Sequence, residues 1–322
     1  MAMAKHRWLI GGFVAALALA GTAKAQPGDV RQNSALAPTS ITLGQPRSDN
    51  DIVVAGKTEA KPAEIREQAR AITRQSAKYN YPLAMFQSRV CPGIVGMPAA
   101  MADILVDRIR FNAERVGLST APLGKCDANI LVIFVRNGQG VIQDLAKKPD
   151  GLLGNIKFAD LQELRAETGP VHAWVETEVR SRQGDTIQGS NEWDMTKIPV
   201  LNVAQSQSHI FLANRIDINK AVVMIDLRAI NGMSVVQLAD YVTMRAFAAT
   251  NPVKGDAAAS TILGLFDPEH TAHPRELTDF DLAYLHTVYD GVDSLNATSK
   301  LASITRKLKT VQAQGGSAKD GE

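Results

Sequence analysis

The chain has 322 residues, with 35 Lys+Arg against 33 Asp+Glu, two cysteines, 45% hydrophobic and only 5% aromatic residues. Balanced charge excludes an electrostatically driven nucleic-acid binder, and the ordinary hydrophobic content excludes a wholly disordered chain. Two cysteines cannot build a Cys-rich zinc site or a multi-bridge mini-protein, and no G-x-S-x-G nucleophile elbow occurs.

Lys5, His6 and Arg7 precede an apolar run from Trp8 to Ala20, and Ala23-Lys24-Ala25 offers a small-residue cleavage site before Gln26. This pattern predicts a secretory signal peptide over residues 1–25. The run is shorter than the roughly 20 residues a membrane span needs, so no stable membrane insertion is expected after cleavage. Cleavage removes Lys5, Arg7 and Lys24 and no acid, leaving 32 basic against 33 acidic residues. Nothing in that balance attracts nucleic acid or an anionic surface. A periplasmic or secreted location then favours a disulfide between Cys91 and Cys126, with two buried free thiols as the alternative. The bridge would close a loop of about 36 residues, worth about 3–4 kcal/mol of chain entropy.

Residues 26–57 are expected to form a disordered linker rich in Gln, Ser, Thr, Pro and Asn, interrupted by the strand-forming run Asp51-Ile52-Val53-Val54-Ala55-Gly56-Lys57. That run resembles the D-I-V-V-T-G segment near the mature N-terminus of many TonB-dependent outer-membrane receptors, with Ala55 where Thr is usual and no barrel following. The resemblance implies a strand that contacts a partner. A single α+β domain is expected over 58–312, and a disordered tail over 313–322.

Within the domain, Pro62 to Ala77 predicts a helix and Leu83 to Val90 an extended segment. Over 98–116, Met101, Leu105, Ile109, Ala113 and Val116 keep a three-to-four spacing, and Gly117 suits the C-terminal cap. Ile130–Val135 is apolar throughout, as a strand buried on both faces would be. Helices are predicted at 141–147 and 159–167. Val171 to Arg180 alternates as a strand with one wet face, turning at Arg182–Asp185 into 186–190. Val222–Leu227 predicts another buried strand. Helices follow at 234–249, 257–265, 278–289 and 294–312. The fold class is thus α+β, a mixed sheet with flanking helices.

Few residues suggest chemistry. Gly138-Gln139-Gly140 follows a strand, but Gln143 stands where a dinucleotide fingerprint wants its third glycine, so the segment reads as a turn and no cofactor is expected. His270 and His273 lie three apart beside Asp267 and Glu269, a weak metal candidate in a Pro-bounded loop. His172, His209 and His286 stand alone and read as structural.

The segment Leu277-Thr278-Asp279-Phe280-Asp281-Leu282-Ala283-Tyr284-Leu285-His286-Thr287-Val288-Tyr289-Asp290-Gly291 resembles the L-[ST]-x-x-D-x-x-x-[IL]-x-x-[LV]-Y-x-G helix that follows the active site of zincin metallopeptidases. The order of strand, helix, small loop and closing helix in the C-terminal third is zincin-like as well. In that family the active helix carries H-E-x-x-H, two histidines one turn apart on zinc and a glutamate base. Here Ala239 and Thr243 stand at the histidines and Asp240 at the glutamate, so the resemblance implies the scaffold without the metal. Ser234 and Gln237 suit a capping box. Residues 51–311 also resemble a group of exported, uncharacterised alphaproteobacterial proteins. The resulting expectation is a non-catalytic binding scaffold with Ala239, Asp240, Tyr241 and Thr243 in a former cleft, holding a peptide or protein partner against a sheet edge. The alternatives are a metal-dependent hydrolase with an unorthodox site built on His270 and His273, and a partner of a TonB-dependent receptor.

Overall fold

An unbroken apolar strand needs cover on both faces, and the run at 130–135 has it. In the computed structural model the described residues are 60–74, 81–148, 151–186, 211–270 and 272–319, all within one compact unit. The expected signal peptide and linker, with the 51–57 segment, lie outside them, as do His209 and residues 187–190.

In chain order the elements are α1 (Pro62–Ile72), β1 (Ala84–Met85), β2 (Pro92–Val95), α2 (Ala99–Arg115), β3 (Ile130–Val135), α3 (Gly138–Leu145), α4 (Phe158–Ala166), β4 (Val171–Ser181), β5 (Asn214–Asp226), α5 (Val235–Phe247), α6 (Asp279–Tyr289), α7 (Ala297–Leu301) and α8 (Ile304–Lys319). The sheet is mixed. β2, β3 and β5 run parallel, in that spatial order, with Ile130 opposite Pro92 and Ala221. β4 lies antiparallel along the whole of β5, and β1 adds a parallel pair at Ile216 and Asp217. The β4–β5 register slips by one residue between Glu176 and Thr177.

The alternate side chains of β3 and β5 divide between two cores. Ile130, Val132, Phe134, Ala221, Val223 and Ile225 pack with α2 and α5 on one face. Val222 and Met224 pack with Trp174, Ile142 of α3 and Leu164 of α4 on the other. The caps follow the sequence. Gly117 has φ +80°, the left-handed turn that ends α2. In α5 the Ser234 Oγ accepts from the Gln237 amide at 3.1 Å while the Ser234 amide donates to Gln237 Oε1 at 3.0 Å. Asp281 of α6 is buried and accepts from Thr261, from the Ile262 amide and from Thr278. Burial pushes its carboxyl up to about 6 against the opposing pull of those donors.

Several boundaries differ from expectation. The extended run at 83–90 supplies only a two-residue strand, while Pro92–Val95, not foreseen, pairs with β3. The strand expected at 222–227 begins at Asn214, and the helix expected at 257–265 is two short 3-10 turns. α8 runs to Lys319, past the expected end at 312, so the helical part of the chain includes most of the segment expected to be tail. Cys91 and Cys126 form a disulfide, their Cα atoms 6.2 Å apart. No helix among the described residues is long and apolar enough to cross a membrane.

One buried cation is poorly served by this packing. Lys300 of α7 is 3% exposed, and its Nζ donates to the Met85 thioether at 3.2 Å, a weak acceptor. Burial drives the amine down to about 8, with Asp293 and Asp290 opposing from farther off. Because the unfolded amine titrates near 10.4, the unfolded state binds more protons between about pH 8 and 10.4, and stability rises with pH across that window. Lys300→Met should therefore stabilise the protein by up to about 3 kcal/mol at pH 7. The advantage should shrink toward pH 10. Urea unfolding at the two pH values checks this, and an equal difference at both would show that the amine is not the source.

Candidate functional site

Ala239, Asp240, Tyr241 and Thr243 lie on α5, and all four are fully buried. Asp240 accepts four hydrogen bonds: from Arg108 Nε and Nη2 at 2.7 Å each, from Asn112 Nδ2 at 2.7 Å and from the Leu277 amide at 2.8 Å. Thr243 donates to the Ala239 carbonyl at 2.8 Å and accepts from Asn112 at 3.0 Å. Asp240 is thus a joint between α2, α5 and the segment entering α6, its oxygens occupied by protein donors and not turned to a cleft. Tyr241 differs from the other three. It contributes to the lining of a pocket of about 250 Å³ with Leu263, Phe266 and Val253, its ring edge-on to Phe266 at 4.8 Å.

His270 Nδ1 stands 3.3 Å from Asp267 Oδ2, and His273 Nδ1 is buried without a hydrogen-bond partner among the described residues. Among those residues no three His, Cys, Asp or Glu side chains form a group that could hold a metal ion.

A different group of polar side chains converges where α4 passes into β4. Glu167 caps α4, and Thr168-Gly169-Pro170 leads into the strand. Glu167 Oε1 takes Arg74 Nη2 at 2.8 Å and lies 3.4 Å from Arg245 Nη2, while Oε2 lies 3.6 Å from His172 Nδ1. Arg245 also donates to the Tyr241 hydroxyl at 3.0 Å. Burial pushes the Glu167 carboxyl up, but His172, Arg245 and Arg74 outweigh it and hold it below its usual range. Arg74 donates from Nη1 to the Ala173 carbonyl at 2.8 Å, which closes part of the outer edge of β4.

His172 is 1% exposed and, by strand alternation, lies on the same face as Trp174. It borders a crevice of about 490 Å³ whose other walls are Asn137–Gln139, Thr168–Pro170 and Asp226–Ala229. The topology explains the crevice. β3 and β5 are adjacent and parallel, and pair up to Val135 opposite Asp226. The chain leaving β3 enters α3 on one face, and the chain leaving β5 enters α5 on the other. Ligands of open parallel sheets bind at such a parting of connections, outside the carboxyl ends of the strands.

No protein family, curated protein or solved structure matches this chain.

Three features shape the crevice. Asn137 caps α3 by accepting from the Gly140 amide at 3.1 Å, and its carbonyl takes the Val141 amide, which leaves the Gly138 and Gln139 amides without a partner among the described residues. Gly138 is required by contact: a Cβ there would stand 2.8 Å from His172 Cδ2 and 3.2 Å from Nε2. Asp226 is clasped by Arg228, Nε to Oδ1 at 3.0 Å and Nη2 to Oδ2 at 2.5 Å, which holds its carboxyl below the ordinary range. The segment expected to be only a turn is thus a helix start facing an imidazole. His172, expected to be structural, is buried and borders the crevice. The alternation expected to give β4 a wet face fails at this end of the strand, where His172 and Trp174 are both buried beside Val171 and Ala173.

Proposed function

We propose that this chain is an exported, non-catalytic binding protein of zincin-like order whose ligand occupies the crevice at the ends of β3 and β5. The observation that carries the reading is His172: a buried imidazole whose Nδ1 faces Glu167 at 3.6 Å and whose ring borders a crevice at the parting of two connections. A crevice of ligand size that brings a buried titratable side chain to the parting of two connections is the usual place for a ligand. The zincin-like order is supported by α5 following β5 directly and by α6 closing on α5 through the Leu277–Asp240 bond. The α5 residues themselves favour binding over hydrolysis, because Asp240 is committed to Arg108 and Asn112. Export is supported by the disulfide.

A peptide partner laid on the outer edge of β4 is the second reading. It is favoured by β4 having only β5 as its strand neighbour between Val171 and Val179 among the described residues, although Arg74 already takes the Ala173 carbonyl.

The test is a thermal-shift panel of small carboxylates, phosphates, sugars and amines against the wild-type protein and Gly138→Val. The valine places a side chain against His172 at the wall of the crevice. Compounds that stabilise the wild type and not the variant locate the site there. Compounds that shift both equally would overturn the proposal.

A further inference from the structure

We propose that the crevice takes an anionic oxygen group, a phosphoryl or a carboxylate, held between the Gly138 and Gln139 amides and His172 Nε2. This rests on the crevice being the binding site and adds the chemical class of what enters it. The first two amides of α3 are unpartnered among the described residues and lie at the positive end of the helix dipole. A helix start alone would say little. The second, independent observation is His172, buried to 1% exposure, bordering the same space.

The orientation of the imidazole follows from its neighbours. The charged and titratable groups around it are Glu167 at Nδ1, Arg74 and Arg245 behind Glu167, and Asp226 with Arg228 across the crevice. A carboxylate facing Nδ1 makes that nitrogen the proton carrier, which leaves Nε2, beside Gly138, for a ligand. Neither carboxylate presents uncompensated negative charge: Glu167 is flanked by two guanidiniums, and Asp226 is clasped by a third. The field in the crevice is therefore not set against an anion.

The two anion types make different demands on His172. A phosphate carrying one proton can donate to a neutral Nε2 and still accept from the two amides. A carboxylate needs the imidazolium, so that Nε2–H donates to it. Phosphate can therefore be held by the neutral imidazole, whereas acetate can be held only by the imidazolium.

The experiment is amide and imidazole NMR of the full chain, titrated with inorganic phosphate and separately with acetate at constant ionic strength, at pH 6 and 8. Saturable shifts confined to Gly138, Gln139 and His172 are expected. His172→Gln should weaken binding roughly tenfold or more, and Gly138→Val should abolish it. Saturation by phosphate alone or by acetate alone supports the proposal and names the group. Absence of saturation with both anions overturns it, and so does equal affinity in wild type and His172→Gln. If uncharged compounds of the thermal-shift panel require Gly138 while neither anion binds, the anion inference falls and the binding site stands. If no compound of any charge depends on Gly138, both fall.

Discussion

Asp240→Asn should lower the free energy of unfolding by about 3–5 kcal/mol, the range found when one partner of a buried ion pair is removed. The carboxylate is 0% exposed and accepts four hydrogen bonds from three residues in two separate parts of the chain, α2 and the segment entering α6. An asparagine of the same shape must turn its amide toward at least one of them, setting donor against donor. Arg108, with a side chain 18% exposed, keeps only Glu276, itself 64% exposed and a weak partner in water. The penalty is therefore an unpaired guanidinium plus an unsatisfied amide, and not merely the loss of an attraction. Urea denaturation measures it. Pairing Asp240→Leu with Arg108→Met should restore much of the stability, because replacing both ions with apolar groups removes the orphan. If Asp240→Asn proved near neutral, Asp240 would not be a structural joint, and its carboxylate would again be free for another role.

The same residue shows where sequence reading stops. α5 was legible: the Ser234/Gln237 cap and the Leu238, Val242, Ala246 stripe place it within a residue or two. What Asp240 does on that helix was not legible, because its partners Arg108 and Asn112 lie about 130 positions away and look like ordinary residues on the wet side of α2. β3 announced itself because both of its faces are apolar. The first half of β5 did not, since Arg215, Asp217, Asn219 and Lys220 masked the alternation of Ile216 and Ile218. Asp217 is nevertheless buried, between Arg215 and Arg180, so the charges there belong to the sheet. The crevice is the extreme case. Gly138, His172 and Asp226 are each unremarkable alone, and only the opposite exits from β3 and β5 gather them. A lone histidine in a strand has no sequence feature that separates a core residue from a ligand-facing one.

Removing the disulfide should have an effect nearly as large, about 3–4 kcal/mol, when Cys91→Ser and Cys126→Ser are combined. The bridge joins the residue before β2 to the turn before β3 across a separation of 35 residues, and the loop it closes contains all of α2. Opening it returns that loop entropy to the unfolded chain while β2 and β3 keep their pairing in the folded one. At this domain size the loss corresponds to a fall in Tm of roughly 2–4 °C per kcal/mol, to be read by thermal unfolding with and without a thiol reductant. The reductant should have no effect on the double variant. The loop also carries Arg108 and Asn112, the two α2 residues that hold Asp240. The bridge and the Asp240 joint therefore restrain the same helix from its two flanks. Their removals should be non-additive, with the combined variant departing from the sum by more than the roughly 0.5 kcal/mol seen for independent sites. Strict additivity would mean that α2 is held by its apolar face alone, and that the bridge and the joint act on the chain separately.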